Sequence, residues 1–132
     1  MQSPDSLFKG KSAFVLGGAG LIGKEVSLEF SKLGAQVLIL DKDKRNSEKI
    51  IKEMQKYNKN SSFLYFDCSD MEKLEQQLKE VISIKSVPHI FVNCSYPRTK
   101  DWTKSSFKKI TLNSFRKNVD IHLNSYSWIA KF

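Results

Sequence analysis

Three glycines, Gly17, Gly20 and Gly23, recur at every third residue in the run Leu16-Gly17-Gly18-Ala19-Gly20-Leu21-Ile22-Gly23. An apolar run from Ser12 to Leu16 leads into it, and an amphipathic segment follows as far as Leu33. Glycine at such a join lets the chain turn tightly, brings backbone amides close to a phosphate and lets a helix pack near a strand. The first turn of the helix then offers unpaired N–H groups and the positive end of its dipole to a pyrophosphate. Gly17, Gly18, Gly20, Leu21, Ile22 and Gly23 are therefore candidate contacts of a dinucleotide.

Asp41 stands 18 residues beyond Gly23, at the end of the apolar run Leu38-Ile39-Leu40. A carboxylate there can accept hydrogen bonds from both hydroxyls of an adenosine ribose and would repel a 2′-phosphate, which favours NAD over NADP. Lys42, Lys44 and Arg45 follow it and oppose that preference, because a basic cluster can receive a phosphate. The structural alternative for Asp41 is a turn or helix-cap aspartate. Asp67, with Cys68 beside it, ends a third apolar run; it is placed to meet an adenine amino group, or else to cap the next helix. Asn93, Cys94 and Ser95 end a fourth, where Asn93 can tie neighbouring strands through its amide while its backbone faces the ligand.

These residues need elements to hold them. Four short apolar runs, Ala13–Leu16, Val37–Leu40, Phe63–Phe66 and Ile90–Val92, show no alternation of polar and apolar residues, as expected of parallel strands covered on both faces. Helical stripes separate them: Ile22, Val26, Phe30 and Leu33, stopped by Gly34; Ile50, Met54 and Tyr57; and Met71, Leu74, Leu78 and Val81, preceded by the capping-box pattern Ser69-Asp70-Met71-Glu72. The alternation predicts an α/β fold, a Rossmann-type doubly wound parallel sheet. Residues 1–132 read as one NAD-binding domain, truncated after about four strands and the following helix. Its final apolar stripe, Phe115, Val119, Leu123, Tyr126 and Ala130, runs to Phe132 without a terminator.

Composition narrows the function classes. Hydrophobic content of 40% and charged content of 27% are those of an ordinary globular protein. No run approaches the length of a membrane helix, and Met1 to Gly10 has no signal-peptide core, so a cytoplasmic location is expected. Cys68 and Cys94 lack a metal-ligand spacing, and no metal is expected. Of the net charge of +8, residues 95–132 hold eight Lys/Arg against two Asp/Glu. A solvated face accounts for that excess, as would an anionic partner; no helix-turn-helix, zinc-finger or RNA-binding aromatic pattern supports nucleic acid.

In these motifs the chain resembles the short-chain dehydrogenase/reductase family. Phe8-Lys9-Gly10-Lys11-Ser12-Ala13-Phe14-Val15 is similar to that family's lead-in to its first strand, and Gly17 to Gly23 to its nucleotide loop. Asp41 and Asp67 match its ribose and adenine carboxylates, and Asn93-Cys94-Ser95 stands where it carries Asn-Asn-Ala-Gly. The run Val92 to Trp102 resembles more particularly bacterial oxidoreductases of flagellin modification and nonulosonate sugar biosynthesis. The resemblance implies an NAD-dependent oxidoreductase acting on an alcohol or carbonyl, a sugar derivative within that subgroup, and a homo-oligomer with the last helix as a dimer face.

Departures from the family pattern bear on chemistry. Leu16 replaces a threonine, Cys94 the second asparagine and Tyr96 the glycine. His122 falls where the family often carries a catalytic asparagine, and a histidine there could relay a proton. The family's catalytic serine and Tyr-x-x-x-Lys pair are not matched. Tyr96 and Lys100 have the literal spacing but follow a strand as a loop, with Pro97 between them, so they do not share a helical face. Tyr96 and Arg98 are expected instead to shape the substrate side. The chain alone is expected to bind nucleotide without turnover. The alternative is a non-catalytic nucleotide-binding or interaction module with a basic C-terminal region.

Overall fold

The structure, a computed structural model, describes residues 7–132, so most of the N-terminal segment from which a cytoplasmic location is read lies outside the described residues. The described chain clusters into two compact units, residues 7–66 with 81–95, and residues 67–80 with 96–132.

In the first unit, β1 (Ser12–Leu16), β2 (Gln36–Asp41), β3 (Ser62–Tyr65) and β4 (Ile90–Asn93) form one sheet in the order β3-β2-β1-β4, every pairing parallel. Val15 lies between Ile39 and Val92, and Leu16 between Leu40 and Asn93, so β1, β2 and β4 end together. With helices flanking it, this is a Rossmann-type α/β sheet. Along β1 and most of β2 both alternating sets of side chains are buried, as the unbroken apolar runs predict. The expectation fails on β3 and β4. These are the edge strands, and Tyr65 and Phe91 are exposed.

Two helices complete the core of this unit, α1 (Leu21–Lys32) and α2 (Lys44–Met54), around Ala13, Val15, Leu28, Val37, Ile39, Ile50 and Met54. The buried seam of α1 is not the predicted apolar stripe. Gly23, Ser27, Leu28 and Ser31 are buried, Val26 and Phe30 pack at the margin, Leu33 is half-buried and Ile22 lies outside. Small side chains let the helix axis come close to the sheet, and that close approach decides which face turns inward. Gly34, at φ +90°, ends the helix as predicted, and the Ala35 amide donates to the Phe30 carbonyl at 2.9 Å. On α2, Ile50 and Met54 are buried, whereas Tyr57 falls in the turn after the helix and is exposed.

The helix α3 (Leu74–Lys85) runs from the second unit into the first; its predicted Leu74, Leu78 and Val81 are buried. The predicted capping box is not formed. The Ser69 hydroxyl donates to Asp67 at 2.6 Å, and Asp70 instead accepts from the Lys73 amide at 3.3 Å, so the helix starts at Leu74.

The second unit ends in α4 (Leu112–Val119), a π-helical turn (Asp120–Asn124) and α5 (Ser125–Lys131). Here the predicted stripe is the outer one: Phe115, Val119 and Leu123 are exposed, and the buried positions are Ser114, Asn118, Ile121, Ser125 and Ile129. The buried positions lie one residue before the predicted ones already on α4, ahead of the π turn, because the inward polar groups find partners, the Ser125 hydroxyl donating to the Ile121 carbonyl at 2.7 Å and the Asn118 amide to Thr99 at 2.8 Å.

The small seam of α1 gives a stability test. Ser27 is fully buried and its hydroxyl has no hydrogen-bond partner. Ser27→Ala should raise stability by about 1 kcal/mol, because an unmet buried hydroxyl is removed. Ser27→Leu should lower it by roughly 1–3 kcal/mol through overpacking. Urea unfolding measures both; a gain with leucine would contradict the close helix–sheet approach.

Candidate nucleotide-binding site

The glycine loop bridges β1 and α1, and Gly17, Gly18 and Gly23 each have a distinct reason to lack a side chain. Gly17 adopts φ +73°. Its amide donates to the Leu40 carbonyl at 2.8 Å, and a Cβ there would stand 2.7 Å from the Ser95 amide nitrogen. At Gly18 a Cβ would stand 2.9 Å from the Val15 carbonyl oxygen and 3.1 Å from Ile39. At Gly23 it would collide with the Gly17 carbonyl oxygen and come within 2.8 Å of the Gly18 Cα. The turn, the strand packing and the helix packing thus claim Gly17, Gly18 and Gly23, whereas Gly20, part of the predicted spacing, meets no such close contact.

Gly20 is the N-cap of α1, with no side-chain cap, and the first turn of the helix carries no acidic residue. The leading amides, which have no acceptor one turn earlier, therefore face no competing carboxylate. Leu21 and Ile22 are 94% and 72% exposed, which leaves both free to lie against a ligand. Leu16, in place of threonine, is buried, and the loop is fixed by backbone bonds instead.

Asp41 ends β2 directly beside this loop. Its Oδ2 accepts from the Ala19 amide at 3.0 Å and its Oδ1 from the Asp43 amide at 2.9 Å. An ionised carboxylate has about four acceptor positions, so both oxygens retain capacity for ribose hydroxyls. Asn46, in the first turn of α2, donates to the Ala19 carbonyl at 3.4 Å. The loop is thereby held through both sides of Ala19. Sequence reasoning missed Asn46; its place three residues after the N-cap Asp43 was the available signal.

The chain leaving β4 closes the other side. The Cys94 amide donates to the Leu16 carbonyl at 2.8 Å. Asn93 does not bridge to a neighbouring strand through its carbonyl oxygen, which instead accepts from the Ser95 amide at 3.0 Å and the Ser95 hydroxyl at 2.6 Å. This local turn sets the backbone that Gly17 touches. Burial pushes the Cys94 thiol up, so the side chain is a neutral thiol at neutral pH. Gly17, Gly18, Gly20, Gly23, Asp41, Cys94 and Ser95 are thus assembled in one unit.

Asp67 and Cys68 belong to the second unit. There the Asp67 carboxylate accepts from the Ser69 amide at 3.0 Å as well as its hydroxyl. Gln77, also unforeseen, clasps the backbone of residue 67, accepting from its amide at 2.8 Å and donating to its carbonyl at 3.2 Å. Cys68 is buried.

His122 lies in the π turn of the same unit. Its Nε2 donates to the Pro97 carbonyl, and its ring meets Tyr96 edge-to-face at 5.0 Å and Tyr126 at 5.7 Å. Residues 94–99 have no regular structure, so Tyr96 and Lys100 do not share a helix. The hydroxyls of Thr99 and Ser114 hold the Asp101 carboxyl below the usual range. Among the described residues no group of three or more His, Cys, Asp or Glu is placed to hold a metal, and no helix is long and apolar enough to cross a membrane.

The loop geometry separates two substitutions that look alike in sequence. Gly17→Ala should destabilise by roughly 3 kcal/mol or more, from the left-handed backbone and the contact with Ser95. Gly20→Ala, at φ −77°, should cost less than about 1 kcal/mol. Thermal unfolding of the two variants checks the order, and equal losses would contradict the packing of Gly17 against β4.

Comparison with known proteins agrees with this geometry. The family model for short chain dehydrogenases matches residues 11–132. An uncharacterised oxidoreductase of Schizosaccharomyces pombe is 31% identical over 86 residues, covering 64% of this chain and 25% of that protein. The post-translational flagellin modification protein A of Campylobacter coli is 23% identical over 121 residues, covering 91% of this chain and 47% of that protein. The chain thus spans between a quarter and half of the curated relatives it matches. Among solved structures, a 3-oxoacyl (acyl-carrier-protein) reductase from Agrobacterium tumefaciens with NADP bound superposes with a TM-score of 0.81 at 15% identity, covering 99% of this chain and 49% of that one. A family match over nearly the whole chain, on a parallel sheet that folds its glycine loop against β2 and β4, means that the chain belongs to the short-chain dehydrogenase family.

Proposed function

We propose that residues 1–132 form the NAD-binding portion of a cytoplasmic oxidoreductase that acts on an alcohol or carbonyl of a sugar derivative. The observation that carries this reading is the Asp41 carboxylate, bonded to the nucleotide loop at Ala19 while retaining acceptor capacity for two ribose hydroxyls. In that reading Gly17, Gly18, Gly20 and the leading amides of α1 receive the pyrophosphate, with Leu21 and Ile22 lying against the nucleotide. Asn93, Cys94 and Ser95 supply the wall beyond β4; Asp67 and Cys68 are taken for the adenine on the family resemblance alone. The bound dinucleotide would supply the hydride acceptor or donor. The likeness to the Campylobacter coli flagellin modification protein supports the flagellin-modification subgroup, and the sugar-type substrate is what the resemblance to that subgroup implies.

The preference for NAD follows from charge. A 2′-phosphate would sit against Asp41, whose two bonds to backbone amides keep it from turning aside. Lys42, Lys44 and Arg45 are exposed and oppose that preference, Lys44 while paired with Glu48 at 3.8 Å. Cys68 and Cys94 as reduced thiols suit a reducing compartment. The outer face of α4 and the π turn, with Leu112 and Leu123 each 63% exposed, supports a homo-oligomer formed through it. By themselves these residues bind nucleotide without oxidising an alcohol, because Tyr96 and Lys100 lack the helical geometry of the family's acid–base pair.

Calorimetric titration tests the reading. NADH should bind saturably, NADPH at least about tenfold more weakly, since one unmatched charge is worth more than 1.4 kcal/mol at close range. Asp41→Ala should weaken NADH and narrow the difference. A folded chain that binds neither dinucleotide, or prefers NADPH, would overturn it.

A further inference from the structure

Among the described residues, the second unit carries a cation without a carboxylate partner, on a loop too firmly fixed to be mere connection. Residues 96–101 follow the carboxyl end of β4 in the chain, the side on which open α/β sheets bind ligands. The loop is irregular, yet it is pinned at three points. The Pro97 carbonyl accepts from His122. The Thr99 hydroxyl accepts from the buried Asn118 amide at 2.8 Å, and Asp101 accepts from the buried Ser114 hydroxyl at 3.0 Å. His122 is therefore a positioning residue, since its Nε2 proton is engaged by a backbone carbonyl that cannot accept it outright.

What this anchoring presents is Tyr96, 58% exposed although its ring packs edge-to-face on both His122 and Trp102. Arg98 lies over that ring, its guanidinium carbon 5.9 Å from the centroid. Among the described residues no carboxylate pairs with Arg98, while the nearest acidic side chain in sequence, Asp101, is already committed to Ser114. A fixed aromatic plane beside an uncommitted guanidinium fork is a recognition surface. The plane suits the C–H face of a saturated ring, and the fork suits a carboxylate or phosphate gripped through two N–H bonds.

We propose that Tyr96 and Arg98, held by His122 and Asn118, bind an anionic sugar, the ring on the tyrosine and its acidic group on the arginine. The site rests on the oxidoreductase reading for its role, since the anionic sugar is then the substrate class. Its chemistry is testable without the dinucleotide.

The test is an NMR titration of the whole chain with glucuronate, glucose 6-phosphate and glucose, read at the Tyr96 and Trp102 side-chain resonances. At least one anion should bind about tenfold more tightly than glucose, the margin expected of a charge-assisted bidentate contact. The tighter of the two identifies the acidic group. Arg98→Ala should remove the preference for the anion, and Tyr96→Ala should weaken all three sugars. His122→Ala should weaken the anion severalfold, and His122→Asn, which restores a donor to Pro97, should recover most of the loss with the same charge preference. Equal binding of glucose and both anions, or a preference that survives Arg98→Ala, overturns the proposal. Binding of NADH with no sugar bound overturns it and leaves the cofactor reading standing; a sugar bound through Arg98 without NADH does the reverse.

Discussion

The closeness of one peptide to two strands organises the first unit. Gly17 reaches across to the Leu40 carbonyl on β2 and lies against the Cys94–Ser95 backbone beyond β4, where no side chain would fit. Because β1, β2 and β4 end in register, the glycine loop, the ribose carboxylate and the β4 exit meet at one edge of the sheet. The absence of Cβ atoms at Gly17, Gly18 and Gly23 permits that meeting, and the hydrogen bonds at Ala19 and Leu40 fix it.

Asp41 shows how one residue can be structural and still hold acceptor capacity for a ligand. Its bonds to Ala19 and Asp43 give it the turn role that a strand-end aspartate often has, yet a carboxylate is large enough in acceptor capacity to serve a ligand as well. The two readings that the sequence left open therefore do not compete. Its attachment to the loop also means that the Asp41 carboxylate and the glycine loop share a frame.

The glycine spacing, the four strands and Asp41 were legible because each reflects a local demand: a left-handed φ, an apolar strand, a strand-end carboxylate. What was not legible depends on how elements approach. On α1 the volume of Ile22 and Leu33 suggested a seam that Ser27 and Ser31 occupy, since helix–sheet distance is set by the smallest residues. On α4 and beyond, apolar periodicity pointed to Phe115 and Val119, whereas the adjacent Ser114 and Asn118 turn inward. Buried Asn118 and Ser114 were invisible to a hydrophobic pattern because their burial is made possible by Thr99 and Asp101 on a distant loop. Asn46 and Gln77 likewise act through backbone groups that periodicity does not register.

Amide hydrogen exchange of the chain, with and without saturating NADH, tests the central claim most directly. If the glycine loop is the nucleotide cradle, NADH should slow exchange most at residues 18–23, with a second protected stretch at 93–95 and little change along the outer face of α4. NADH that binds while leaving residues 18–23 unchanged would contradict the account.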